Sequence, residues 1–154
     1  MAVVTCTFQV DNATGGDLSG PWFDNGSAGT SNTTGHMHKG NHDELFVVLQ
    51  WNAGSAPDFL TGHIVFSKAE TASASQTAAS PFKNRGDKQL CHKAEKVHVA
   101  GGGAFLPSYK WGPFPLHDGS QLGKYELTFV AEDTTPGEDK EIQWSEDPEF
   151  DVES

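Results

Sequence analysis

The chain has 154 residues, 36% hydrophobic and 20% charged, with 21 acidic side chains against 10 basic ones and a formal net charge of −11. That length suits one domain able to bury roughly 70% of its unfolded surface without disulfide or metal staples. No apolar run approaches the roughly 20 residues of a membrane helix, so no transmembrane segment is expected, and the net acidity argues against nucleic-acid binding because it repels phosphate backbones.

The opening MAVVTCTFQV carries no basic region ahead of an apolar stretch and cleavage site. The expectation is a soluble protein, either cytoplasmic or secreted with its signal removed. Val4, Cys6, Phe8 and Val10 alternate with polar residues, the period of a strand with one buried face. Residues 11–34 are dense in Gly, Asn, Ser, Thr and Asp, with Pro21, Trp22 and Phe23 as the only bulky island. Such side chains bond their own backbone, so a long loop or a pair of short turns is predicted. Leu45 to Trp51 reads as a central strand buried on both faces, and Gly62 to Ala69 as another, with a turn signal from Asn52 to Asp58 between them.

Residues 71–80 hold only Ala, Ser, Thr and Gln, which fits either a short helix or a flexible crossing. Leu90, Ala94 and Val97 stand at helical spacing, so a short helix capped near Asp87 is predicted before the chain turns extended at Val97. Gly101 to Gly103 break the chain, and Pro107, Pro113 and Pro115 exclude helix from the next stretch. Lys124 to Glu132 has the clearest alternation, with Tyr125, Leu127, Phe129 and Ala131 facing one way. Two short strands, Glu141 to Trp144 and Glu149 to Val152, finish the chain and are separated by Pro148. Six or seven short strands and at most one short helix predict an all-β, single-domain antiparallel β-sandwich, Ig-like or jelly-roll-like. Within it, residues 11–44 form a loop-rich segment and 123–154 an acidic terminal hairpin.

The charge is not evenly spread. Residues 132–154 hold ten acidic side chains and one base, Lys140, whereas residues 1–131 hold 11 acids and nine bases. Such a segment either solvates a sheet edge against aggregation or meets a basic partner, a second copy of the chain included. A homo-oligomer is therefore one expectation. The two cysteines, Cys6 and Cys91, are too few for a disulfide framework and belong to no C-x-x-C pair. They either bond to each other or remain as thiols.

Two sets of residues carry the functional expectations. Trp22, Phe23, Tyr109, Trp111 and Phe114 fall in Gly/Pro-rich stretches read as loops. Exposed there, such rings recognise a carbohydrate or a protein surface, in the manner of a lectin, or enter a bilayer interface as in a membrane-active β protein. This predicts a non-enzymatic binding protein, since no G-x-S-x-G elbow or other nucleophilic set is present. The second set is the segment GHMHKGNHDEL. On an extended chain His36 and His38 point to one face and can chelate one ion, with His42, Asp43 or Glu44 closing the site after a turn. Imidazole and carboxylate together suit a divalent transition metal, and Asp43 or Asp118 can hold the second nitrogen of a ligating histidine. The run from His36 and His38 through Glu44 to Leu49 resembles the first metal-binding motif of the cupins. That resemblance implies a metal held in a small β-barrel by His36, His38 and Glu44, with a later histidine, His98 or His117, completing it. It covers about 16 residues, and the family's second motif, Pro-x-Gly followed by a histidine, is absent.

Overall fold

The computed structural model describes residues 2–25, 34–58, 60–68, 82, 89–93, 95–101, 104–116, 122–137 and 142–154, without the side chains of 65–68 and 89–106. Twelve strands fill this part of the chain: β1 (Val3–Val10), β2 (Gly16–Asp17), β3 (Ser19–Asp24), β4 (Gly35–His38), β5 (Glu44–Trp51), β6 (Leu60–Lys68), β7 (Gln89–Lys93), β8 (Glu95–Gly101), β9 (Ala104–Pro115), β10 (Gly123–Asp133), β11 (Gln143–Glu146) and β12 (Glu149–Glu153). The one helical turn among the described residues is a 3-10 turn at Lys39–Asn41.

Two sheets pack face to face. The first runs β3-β1-β5-β9-β8. In the second, β6 pairs β10 on one side and β7 on the other, while β11 and β12 share the far edge of β10, followed by β2 and β4. The expected sandwich of strands is thus present, but its sheets are mixed. β1 lies parallel to β5, β2 to β11, and β4 to β12.

Alternation dictates what lies between the sheets. Val4, Cys6, Phe8 and Val10 of β1 and Leu45, Val47, Leu49 and Trp51 of β5 face Tyr125, Leu127, Phe129 and Ala131 of β10 with Trp144, Phe150 and Val152 beyond. The stacked rings of Phe8 and Phe129, 5.2 Å apart, bridge the layers. Cys6 is buried and free, so it forms no bond to Cys91, and burial pushes its thiol well above the ordinary value.

Three local expectations are corrected. Residues 89–93 and 95–101 are strands, not a helix. β7 pairs β6 in one sheet and β8 pairs β9 in the other, so ladder partners on two sheets override a helical spacing carried by only three apolar residues. Within the predicted loop of 11–34, β3 forms an antiparallel edge beside β1, where Pro21 withholds no donor from a second neighbour. The proline-rich stretch is β9, paired on both sides. Its register slips between Leu45 and Val47, so Trp111 opposes Val47 and Phe114 opposes Leu45. That bulge turns both rings inward although they stand three residues apart. Gly112 makes it possible: φ is +119° and an added Cβ would lie 2.8 Å from the carbonyl oxygen of Leu45. Residues 71–80 lie outside the described residues. No helix among the described residues is long and apolar enough to cross a membrane.

Candidate metal centre

Strand period again decides what reaches the outer face. In β4, Gly35 and Met37 are buried, leaving His36 and His38 outward. In β12, Phe150 and Val152 are buried, leaving Asp151 and Glu153 outward. The parallel register sets Asp151 beside His36 and Glu153 beside His38. Two histidines from the early part of the chain therefore meet two carboxylates from its last strand.

His36 Nδ1 lies 3.1 Å from Glu153 Oε1 and 3.7 Å from Asp151 Oδ2. One ligand atom from each of these three residues lies within 4.8 Å of the other two. In a tetrahedral site with bonds of about 2.0–2.2 Å, neighbouring donors stand ~3.3–3.6 Å apart, so the His36 separations bracket those a zinc-sized ion imposes. His38 Nε2 lies 3.7 Å from Glu153 Oε2, the oxygen that His36 leaves free. His38 Nδ1 faces the carbonyl oxygen of Ser154 at 3.5 Å. At 3.7 Å His38 stands beside Glu153 as a charge neighbour, beyond hydrogen-bond reach.

The backbone beneath the group is tied down. Asn25 Oδ1 accepts from the His36 amide at 2.8 Å. Asp43, 1% exposed, accepts from the His38 amide through Oδ2 and from the Ala2 amide through Oδ1, each at 2.8 Å. The sequence points to Asp43 as a holder of a ligand imidazole; the structure gives it the main chain of His38 instead. The intervening turn closes through His42, at φ 55°, whose amide donates to the Lys39 carbonyl at 3.1 Å.

The other members of the expected set are elsewhere. His42 is exposed at the end of the 3-10 turn, and Glu44 begins β5 in the opposite sheet, opposite Val3 and Pro115. Neither belongs to the group around His36. His98 lies on β8 opposite Pro107, and His117 lies outside the described residues. Asp151 and Glu153 are the residues that sequence reading misses. The available signal was the alternation of EFDVE, which marks an outward acidic pair without saying what stands next to it.

The aromatic set is also corrected. Phe23, Tyr109, Trp111 and Phe114 are all buried in the core, and only Trp22, 38% exposed, stands on the surface. The reason is the strand character of β3 and β9. Phe23 covers Gly35, whose added Cβ would meet its ring at 2.6 Å, and Trp111 covers Gly62 in the same way. Two surface clefts of about 280 and 250 Å³ lie among other residues and include no member of the His36 group. A second outer-face pair, His63 Nε2 and Glu132 Oε2 at 3.2 Å, has no third ligand with it among the described residues. Compared with known proteins, the chain matches no family model, no characterised protein and no solved structure at a significant level.

Proposed function

We propose that the protein is a metal-binding β-sandwich that holds a divalent transition metal through His36, Asp151 and Glu153, with His38 beside Glu153. The observation that carries this reading is the convergence of His36 Nδ1 with one oxygen from each of the two carboxylates. Mixed nitrogen and oxygen donors favour zinc, manganese, iron, nickel or copper over calcium or magnesium, which take oxygen ligands. Three protein ligands leave a fourth position for water or an outside donor. The group lies on an outer sheet face and lines neither of the two described clefts.

Titration calorimetry of untagged, chelator-stripped protein with Zn2+ tests the proposal. One equivalent should bind, and His36→Ala and Glu153→Gln should each weaken binding about 10-fold or more, at least the loss that follows removal of a group supporting a ligand. All four side chains face outward, so the fold tolerates these changes. Absence of saturable heat from Zn2+, Ni2+ and Cu2+, or unchanged affinity in both variants, defeats the reading.

A further inference from the structure

The larger cleft lies at the end where β5 leads to β6 and β10 to β11. It holds about 280 Å³ and is lined by Trp51, Pro57, Asp58, Asp133, Ile142 and Trp144 among others. Three features set it apart. First, Trp51 is buried, and its indole Nε1 is a buried side-chain polar atom with no hydrogen-bond partner among the described residues. The neighbouring Trp144, packed edge-on at 5.0 Å, satisfies its own Nε1 through the Asn12 carbonyl at 2.7 Å. Buried donors in folded proteins are nearly always paired, so a lone one in a cleft wall points to a partner from outside.

Second, Asp58 and Asp133 bring two carboxylates to this cleft. Both act on the buried Tyr109 hydroxyl, which donates to the Pro57 carbonyl; burial first, then Asp133 and Asp58, hold that phenol well above its ordinary value. Neither carboxylate has an ion-pair partner among the described residues; Asp133 Oδ1 accepts from the Thr135 amide at 2.9 Å, which leaves Oδ2 for a ligand. Third, Ala13, Ala56, Pro57 and Ile142 add apolar wall between the polar groups.

The ligand must therefore accept from an indole N–H, donate to carboxylates, and present C–H surface. Ammonium groups offer no acceptor, and anions meet two acids. A hydroxyl both donates and accepts. We propose that this cleft binds a neutral polyhydroxylated ring, one monosaccharide unit, whose hydroxyls donate to Asp58 and Asp133 and accept from Trp51 Nε1. The volume lies just below the roughly 300–1,000 Å³ of pockets for drug-sized ligands, which suits a single ring. Trp51 Nε1 has almost no exposed surface, so seating the ring includes an outward shift of the 52–58 connection, an irregular segment that turns at Gly54 with φ +87°.

Tryptophan fluorescence, read in excess chelator so that metal plays no part, tests the site. The probes are D-glucose, D-galactose, D-mannose and N-acetyl-D-glucosamine to about 100 mM, far above a millimolar dissociation constant, with ethylammonium as the cationic control. At least one sugar should give a saturable change. Asp58→Asn, on an exposed residue, should weaken it about 10-fold or more with unchanged melting, and Trp51→Phe should weaken it by removing the N–H. No saturable response to any sugar, a response to ethylammonium alone, or full affinity in both variants overturns the proposal. Because the metal is absent throughout, failure here leaves the zinc result untouched.

Discussion

Asp43→Asn exchanges one carboxylate oxygen for an amide nitrogen at a site with no solvent to absorb the change, since Asp43 is 1% exposed. Its two oxygens receive the amides of Ala2 and His38 at 2.8 Å each, its own amide donates to the His38 carbonyl at 3.3 Å, and its carbonyl accepts from Leu116 at 3.1 Å. It thereby joins the start of β1, the end of β4 and the chain after β9. Hydrogen bonds to a charged acceptor contribute about 1.5–3 kcal/mol, and a donor left unpaired in the interior costs about 1–3 kcal/mol. Asparagine keeps one acceptor at neutral strength and turns a donor against the other amide, so the expected loss is about 2–4 kcal/mol. At this chain length each kcal/mol moves the melting temperature by about 2–4 °C, giving a drop on the order of 10 °C. Urea denaturation and calorimetry measure both quantities, with Asp147→Asn, at an exposed carboxylate, as a control expected within about 0.5 kcal/mol of the parent. Zinc affinity should fall in Asp43→Asn as well, because the His38 backbone loses its anchor. An Asp43→Asn protein that melts with the parent would refute the reasoning, since it would mean that neither amide depends on the carboxylate.

Gly62→Ala should destabilise by about 1–3 kcal/mol, as overpacking does. The added Cβ would lie 2.5 Å from Trp111 Nε1, and that ring is already held edge-on against Phe129 at 5.1 Å. A urea midpoint equal to the parent's would show that the ring yields freely. Alkaline pH offers another check. The Tyr109 phenol titrates higher in the folded chain than its unfolded value of about 10, so its contribution is complete below pH ~10 and is lost as pH rises further. Tyr125, also raised by burial, acts in the same direction. Tyr109→Phe should lower stability at neutral pH, through the lost bond to Pro57, and flatten its fall above about pH 10. Equal slopes in the two proteins would contradict the burial of that hydroxyl.

The alternation of β1 and β10 was legible residue by residue, because a strand with one buried face needs only a local period of two. For the same reason His36 and His38 were legible as neighbours on one face. β9 was not, since three prolines and Gly112 spell a loop locally, and only the bulge opposite Leu45 and Val47 shows how Trp111 and Phe114 both turn inward. β7 and β8 were misread because their partners, β6 and β9, outweigh the spacing of Leu90, Ala94 and Val97.

Local residue order suffices for a β-rich chain, its alternating core strands, and a pair of histidines presented together. It also concentrated acidic residues after position 131. The folded chain adds that those acids include the histidines' partners, that Glu44 belongs to the other sheet, and that four of the five expected surface rings are core. The physical reason is that alternation is a property of one strand, whereas proximity across a sheet is a property of two. Period says that His36 and Asp151 both face outward; the parallel ladder between β4 and β12, closed across more than a hundred residues of chain, places them side by side.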